Sequence, residues 1–413
     1  MKKIIFTLTL ASLLSLEGCK EEGRVDILNM HAPAPEPLSE VSVTPTHGGA
    51  ILKYQIPKDE NLLCVKAVYE IKPGRINETK GSIYVDSLVL KGFGTANTTQ
   101  VRVYTVGRNG KESTPLLVDV TPLAPIVTEV FSSFKIKAAI GGVKIHYKNE
   151  AGENLTYVLI RQNPVTKQWE TLKKFYSNLK EGQLLQRGMK SKETNVGVYV
   201  TDRWGNSSDT VTQILTPVYE KEIPKPFAHR EIAGDNWIPG APNFGIENLW
   251  DGRWDIDAQF IYATAKNIPL PQSFTIDLKH LVEITRVVEH QRPKYAYLDT
   301  SVKEFELFGT AVEMPNGDTN HPDWIKLGRF SSYQPSGMTG NPTPEDFQYG
   351  NVEGESFEFL DENGDPKPTP PIRYLRWRTY ETWNGATEMG EVLIAELDIY
   401  GKIVGEEIDD EED

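Results

Sequence analysis

The sequence predicts an all-β protein, and two observations support that fold class. Short runs in which apolar and polar residues alternate recur along the chain, and this period is typical of half-buried antiparallel strands. The chain also holds 33 glycines and 27 prolines among its 413 residues, which indicates many turns between short strands. A long amphipathic helix is not recognisable after residue 18. At roughly 100 to 200 residues per domain, two to four domains are expected.

The first residues have the pattern of a lipoprotein signal peptide. Two lysines precede an apolar run from Ile4 to Leu16, and Gly18 and Cys19 follow it. The run is too short to span a bilayer comfortably, and a small residue before a cysteine is a lipoprotein cleavage pattern. We therefore predict a signal peptide over residues 1–18 and a lipid on Cys19, which would be the protein's only contact with the membrane.

Residues 19–38 are predicted to form a tether. Three prolines in this segment favour an extended spacer. The step Lys20-Glu21-Glu22 resembles the acidic export tag of surface lipoproteins of Bacteroidetes, and the alternative is an ordinary charged tether. With the tag, the protein is expected at the outer membrane, facing the cell exterior.

An internal repeat divides the next part of the chain. The segment from Val101 to Pro122 aligns without a gap to the segment from Val196 to Pro217. Alternating apolar runs with Gly, Asn and Pro turns predict a seven-strand sandwich in each unit, over residues 39–122 and 123–220. Both units resemble fibronectin type III or immunoglobulin-like domains, a fold that serves many functions.

Charge and cysteine content exclude several classes of function. The formal net charge of −14 is unsuited to nucleic acid, whose phosphates require clustered basic residues. The acidic tail over residues 403–413 is expected to be solvated. With Cys19 acylated, Cys64 has no intramolecular partner, and its apolar run favours a small buried thiol over a nucleophile.

The pattern of reactive residues argues against an enzyme. The seven histidines are scattered and form no zinc-binding motif. A Gly-x-Ser-x-Gly elbow is absent, and nothing selects a pair of carboxylates for glycoside hydrolysis. We therefore expect a binding protein without catalytic residues and without an organic cofactor.

The segment 225–402 has a different texture and contains six of the eight tryptophans. It resembles the coagulation factor V/VIII type C, or discoidin, family of galactose-binding-like β jelly rolls. The matching pieces, in order, are Leu249-Trp250-Asp251-Gly252, Pro271 to Leu278, Gln291-Arg292, Lys303 to Gly309, Arg373-Tyr374-Leu375-Arg376 and Glu396 to Gly401.

The whole arrangement looks like lipoproteins encoded in Bacteroidetes polysaccharide-utilisation loci. Members of the discoidin family bind sugars, and some bind lipid headgroups or proteins, through loops at one end of the barrel. The resemblance therefore implies a surface protein that captures a glycan for uptake, with an outer-membrane transporter complex as a further partner. The alternative is an adhesin or transporter accessory protein that binds other proteins and no sugar.

A sugar receptor needs a flat aromatic surface and a few fixed donors and acceptors, and the planar Arg fork suits this task. One predicted loop, from His290 to Tyr297, supplies both kinds of group, and four aromatic residues in other predicted loops are expected to converge on it. The alternative for each aromatic residue is a role in packing, which is our prediction for Trp250 and Trp377. The candidate ligand-binding residues are Trp237, Trp254, Tyr262, His290, Arg292, Tyr295, Tyr297 and Trp383.

The resemblance also implies a structural calcium ion. In that family a calcium ion lies near the loop with the Asp-Gly step, and a carboxylate of the last strand completes its ligands. Asp251 and Glu396 match these positions, and Asp255 and Asp257 are further acidic side chains nearby. The alternative is that Asp251 only forms a turn with Gly252.

Overall fold

The computed structural model describes residues 29–255, 260–338 and 340–408. It is almost entirely β, so the predicted fold class is confirmed. Cys19, the signal peptide and Asp257 lie outside the described residues. Across the described ranges, no helix has both the length and the apolar character needed to cross a membrane.

The first region is a sandwich of two antiparallel sheets with strand orders β1-β2-β5 and β4-β3-β6-β7. Its strands are β1 (Val41–Thr46), β2 (Gly49–Tyr54), β3 (Leu62–Lys72), β4 (Arg75–Ser82), β5 (Ser87–Lys91), β6 (Thr99–Gly107) and β7 (Leu116–Val120). In β3 the buried side chains alternate with more exposed ones, and Val65, Ala67 and Tyr69 enter the core. Cys64, on the same strand, is only half-buried, in contrast to the buried thiol that we predicted.

The second region repeats this topology strand for strand, with strand orders β8-β9-β12 and β11-β10-β13-β14. Its elements are α1 (Ile126–Ser132), β8 (Lys135–Ala139), β9 (Gly142–Lys148), β10 (Leu155–Gln162), β11 (Trp169–Ser177), β12 (Glu181–Arg187), β13 (Thr194–Asp202) and β14 (Val211–Leu215). The last hairpins of the two regions turn at Gly110 and Gly205, whose φ angles of 79° and 76° favour glycine.

The last residues of the predicted tether contact the first sandwich. Thr105 donates its hydroxyl to the carbonyls of Pro35 and Glu36, at 3.2 and 2.8 Å. Leu38 is buried in the core of the first sandwich. The end of the proline-rich segment therefore packs on the first sandwich, because its carbonyls accept hydrogen bonds that a free spacer would leave to water.

The third region is built around one long antiparallel sheet in the order β15-β24-β18-β22-β19-β20, with β16 and β21 also paired to β18 and a separate pair β17-β23. Its strands are β15 (Lys221–Glu222), β16 (Ala228–His229), β17 (Tyr262–Ala263), β18 (Gln272–His290), β19 (Val302–Thr310), β20 (Ile325–Ser331), β21 (Glu355–Glu358), β22 (Ile372–Thr382), β23 (Leu393–Ile394) and β24 (Glu396–Ile403). The helical elements are a 3₁₀ turn (Ile246–Trp250), α2 (Pro344–Phe347) and a π-helical turn (Gln348–Gly354).

Aromatic rings fill the core of the third region. Trp377 is fully buried, and its ring stacks on Phe305 with centroids 3.8 Å apart. Trp250 is also buried and meets Phe227 edge to face. Both tryptophans predicted to pack therefore do so, Trp377 from β22 and Trp250 from the 3₁₀ turn.

Candidate binding surface

The predicted ligand-binding loop begins one residue later than expected, because β18 continues through His290. His290 is 4% exposed, its Nδ1 lies 2.6 Å from the carbonyl oxygen of Asn351, and its Nε2 lies 2.9 Å from Asp398. Both ring nitrogens are engaged within the protein. His290 is therefore a structural residue, and its assignment to a solvent-facing site was wrong.

Two of the candidate tyrosines are also buried. Tyr262 lies on β17 and is 1% exposed, and Tyr297 is 2% exposed. Burial raises the pKa of both phenol groups above the ordinary value. Neither ring reaches solvent, so neither forms a sugar-stacking surface, in contrast to the sequence prediction. Whether a tyrosine near a turn faces the core depends on the register of distant strands, which alternation within one segment does not reveal.

Trp237 is half-buried and packs against neighbouring aromatic rings. Its Nε1 lies 3.3 Å from Nε2 of His229, and its ring contacts Tyr262 at a centroid distance of 5.7 Å. It lies against the core of the third region. This is the packing alternative that the sequence left open.

Four further candidate residues are also half-buried, and hydrogen bonds connect their segments. We call Trp254, Arg292, Tyr295 and Trp383 the loop surface. The guanidinium carbon of Arg292 lies 4.5 Å from the centroid of the Tyr295 ring, a cation–π distance. The Trp254 ring stacks on His290 at 5.0 Å, and the Trp383 ring meets Tyr297 edge to face at 5.4 Å.

Short hydrogen bonds hold the segments of the loop surface together. Asn351 donates its side-chain amide to the carbonyl of Trp254 at 3.0 Å and to that of Gln291 at 2.6 Å. Ser301 donates its hydroxyl to the carbonyl of Tyr295 at 3.0 Å, and the backbone carbonyl of Ser301 accepts the backbone N–H of Trp383 at 2.9 Å. Asn351 and Ser301 were not identified from the sequence, because neither carries a motif.

A buried polar chain lies beneath this surface. Ser332 accepts hydrogen bonds from the Trp383 indole N–H at 3.3 Å and the Gln291 amide at 3.0 Å. Its own hydroxyl donates to Glu355 at 2.6 Å. Burial raises the pKa of Glu355 to about 7, against the lowering effect of its hydrogen bonds to Ser332, the Tyr333 backbone and Gln291. The loop surface is thus connected to a carboxyl group inside the domain.

The residues matched to a calcium site do not fit a calcium ion. Glu396 is fully buried and forms an ion pair with the ammonium of Lys225, which also pairs with Asp398 at 2.5 Å. The Gly252 backbone presents its N–H to the Glu396 oxygens, at 3.2 and 3.1 Å. A positive charge and a donor thus stand where calcium would require oxygen ligands.

Asp251 takes the turn-forming alternative. Its Oδ1 accepts the backbone N–H of Arg253 at 2.9 Å, an arrangement typical of a local turn. Asp255 is exposed. Within the part of the chain that the structure describes, no three His, Cys, Asp or Glu side chains cluster as metal ligands would.

The protein is therefore an all-β protein in which two sandwich domains are followed by a jelly roll. Three protein-family models match the chain in the same order, and all three are described as domains of unknown function: DUF4959 over residues 35–122, DUF5126 over 123–226 and DUF5000 over 250–401. Among curated proteins, no sequence relative was found.

Three solved structures are similar to parts of this chain. A SusE-like protein is 25% identical, with a TM-score of 0.41, and the match covers 68% of this chain and all of that one. The C-terminal domain of a chitobiase from Bacteroides fragilis is 16% identical, with a TM-score of 0.27, and the match covers 45% of this chain and 95% of that one. The CBM32 of AlyQ in complex with 4,5-unsaturated mannuronic acid is 16% identical, with a TM-score of 0.25, and the match covers 42% of this chain and 97% of that one.

Proposed function

We propose that this protein binds extracellular carbohydrate at the cell surface, through the loop surface of its third region, and that it is not an enzyme. The observation that supports this function is the Arg292 guanidinium over the Tyr295 ring, beside the partly exposed Trp254 and Trp383. Sugars present hydroxyl groups around apolar C–H faces, and flat rings next to a planar multi-donor group match both.

The rigidity of this surface favours binding. Every segment of the loop surface is tied by hydrogen bonds to Asn351, Ser301 or Ser332. A receptor whose side chains are already held in place loses less conformational entropy when the ligand binds. The loop surface therefore needs little rearrangement to receive a sugar.

The test is the binding of the full chain to a panel of immobilised polysaccharides. We expect at least one polysaccharide to retain it, and we expect Trp383→Ala and Arg292→Ala each to weaken that binding about tenfold, the loss of roughly 1.4 kcal/mol. Trp169→Ala, at a partly exposed tryptophan of the second region, is the matched control and should bind normally. If no polysaccharide retains the wild-type chain, the proposal fails.

We also propose that a lipid on Cys19 anchors the protein to the outer membrane, and that it works beside a transporter in polysaccharide uptake. The motif from Ile4 to Cys19 supports the anchor. Cys19→Ala should release the protein from the membrane fraction, whereas Cys64→Ala should not. Retention of the Cys19→Ala variant in that fraction would contradict the lipid anchor.

A further inference from the structure

The second and third regions enclose a cleft that none of the predicted site residues lines. Its volume is about 510 Å³, within the range of about 300 to 1,000 Å³ that is typical of small-molecule sites. One wall carries Lys144, His146 and Gln183, and the other carries Phe330, Tyr333 and Ser356. The cleft therefore exists only where the two regions meet.

The first wall is the outer face of the sheet formed by β8, β9 and β12. Along β9, Val143, Ile145 and Tyr147 face the sandwich core, so Lys144 and His146 point to the opposite side. Gln183 lies directly across from His146 in the pairing of β12 with β9. A row of polar side chains thus covers this face.

Ion pairs between the regions neutralise the basic groups in and around the cleft. Lys137 lies 2.7 Å from Asp365, and Lys144 lies 3.9 Å from Glu358. Each of these pairs joins a lysine of the second region to an acid of the third. Because the lysine charges are balanced, an anionic ligand gains little net attraction here.

Two polar groups on the first wall of the cleft are open to new hydrogen bonds. Among the described residues, the Gln183 amide and the His146 ring have no side-chain hydrogen-bond partner. Burial, followed by the charge of Lys144, lowers the pKa of His146, so the ring offers one donor and one acceptor at neutral pH. Sugar hydroxyls require this mixture of donors and acceptors.

An exposed ring stands on the opposite wall. Tyr333 is 57% exposed, and one side of its ring contacts Tyr349 at a centroid distance of 5.5 Å. It follows Ser332, the residue that accepts the Trp383 indole N–H. The cleft therefore begins where the buried polar chain of the loop surface ends.

We propose that this cleft is a second carbohydrate subsite, which binds a neutral saccharide between the second and third regions. Tyr333 stacks on an apolar face of a sugar ring, and Gln183 and His146 bond its hydroxyls. The inference rests on the proposed carbohydrate-binding function, and it adds a requirement that the loop surface alone does not make. Residues of the second sandwich must contribute to affinity.

The experiment measures affinity of the full chain for neutral and acidic oligosaccharides from the polysaccharides that retain it. We expect a neutral oligosaccharide to bind, and we expect Gln183→Ala and Tyr333→Ala each to weaken binding about tenfold at an unchanged melting temperature. Gln213→Ala and Tyr176→Ala are matched controls, since both residues are exposed on the other sheet of the second region. These two variants should bind within about twofold of the wild type.

The outcomes separate this inference from the proposed function. If Gln183→Ala and Tyr333→Ala bind like the wild type while Trp383→Ala binds weakly, the cleft is not a subsite and the loop surface remains the receptor. Binding of acidic oligosaccharides alone would overturn the neutral ligand class. If the wild type binds no carbohydrate, the proposed function fails, and the cleft inference fails with it.

Discussion

Two buried carboxyl groups stand opposite each other in the third region. Glu289 on β18 pairs with Glu355 on β21, and both residues are almost completely buried. Neither oxygen of Glu289 has a hydrogen-bond partner among the described residues. Burial, together with the nearby Glu355, raises the pKa of Glu289 well above the ordinary value. Two buried negative charges on directly opposite residues, without a counter-ion, are strongly disfavoured.

This pair predicts a pH dependence of stability that Glu289→Gln reduces. A carboxyl whose pKa is raised in the folded state does not lower the free energy of unfolding below its unfolded pKa of about 4.5. Its destabilising effect grows as the pH rises toward the pKa of the folded state. At about pH 5 the variant and the wild type should therefore melt at similar temperatures. At about pH 8 the variant should melt higher, because the amide stays neutral.

Glu78→Gln is the control for this comparison. Glu78 is exposed and pairs with Lys80 on the surface, so its substitution should not produce the same rise in the melting temperature between the two pH values. A Glu289→Gln variant whose advantage over the wild type is equal at both pH values would contradict a buried, neutral Glu289.

At the scale of elements, one lysine joins the start of the third region to its last strand. Lys225 precedes β16, and its ammonium pairs with Glu396 and Asp398 on β24. Burial lowers the pKa of Lys225, but the hydrogen bonds to both acids outweigh this effect, so its pKa is raised. The same Glu396 carboxylate accepts the Gly252 N–H. Lys225 thus closes a junction between β24, β16 and the turn after the 3₁₀ helix.

Lys225→Met should destabilise this junction. Removing one partner of a buried ion pair costs about 3 kcal/mol, since the remaining carboxylates keep their desolvation penalty. Calorimetry should show a lower melting temperature for the transition of the third region. The wild type should melt at the same temperature with and without EDTA, because an ammonium already neutralises the carboxylates.

Lys80→Met provides the comparison at an exposed pair with Glu78, where a loss of less than about 1 kcal/mol is expected. A fall in the wild-type melting temperature on addition of EDTA, reversed by calcium, would show that these residues hold a metal ion after all.

At the scale of the whole molecule, an ionic network joins the second and third regions. Arg187 on β12 pairs with Glu358 on β21, and its other nitrogen lies 3.7 Å from Glu220. Arg286 on β18 lies 2.6 Å from the same Glu220. All four side chains are largely buried, so solvent screens their attraction only weakly. This network lies beside the cleft and holds its two walls together.

Arg187→Ala should loosen the arrangement of the two regions without unfolding either. We expect calorimetric transitions of the second and third regions that lie further apart, and a larger radius of gyration in solution scattering. The cleft ligand should bind more weakly as well, because its two walls are no longer fixed.

Arg161→Ala is the matched control, at an arginine of the same region that pairs with Glu170 at the surface. It should leave both measurements unchanged. Identical scattering and calorimetry for Arg187→Ala and the wild type would show that the network does not couple the regions.

Much of the candidate site could be predicted from its residue types, and the rest could not. The run from Gln291 to Tyr297 contains groups of the right chemistry, and Arg292 and Tyr295 do form a partly exposed pair. His290, Tyr262 and Tyr297 are buried, because the length of β18 and the pairing of β17 with β23 decide which way they face. Ser332, Asn351 and Glu355 come from segments with no recognisable motif.

The all-β class, the repeated sandwich and the aromatic character of the last region follow from the amino-acid sequence alone, because alternation, turn residues and composition are local properties. The contact of Lys225 with Glu396 and the cleft between two regions are visible only in the folded chain. These features join residues more than a hundred positions apart, for example Lys225 and Glu396 or Gln183 and Tyr333. Such proximity follows from strand register and domain packing, which leave no local signal in the chain.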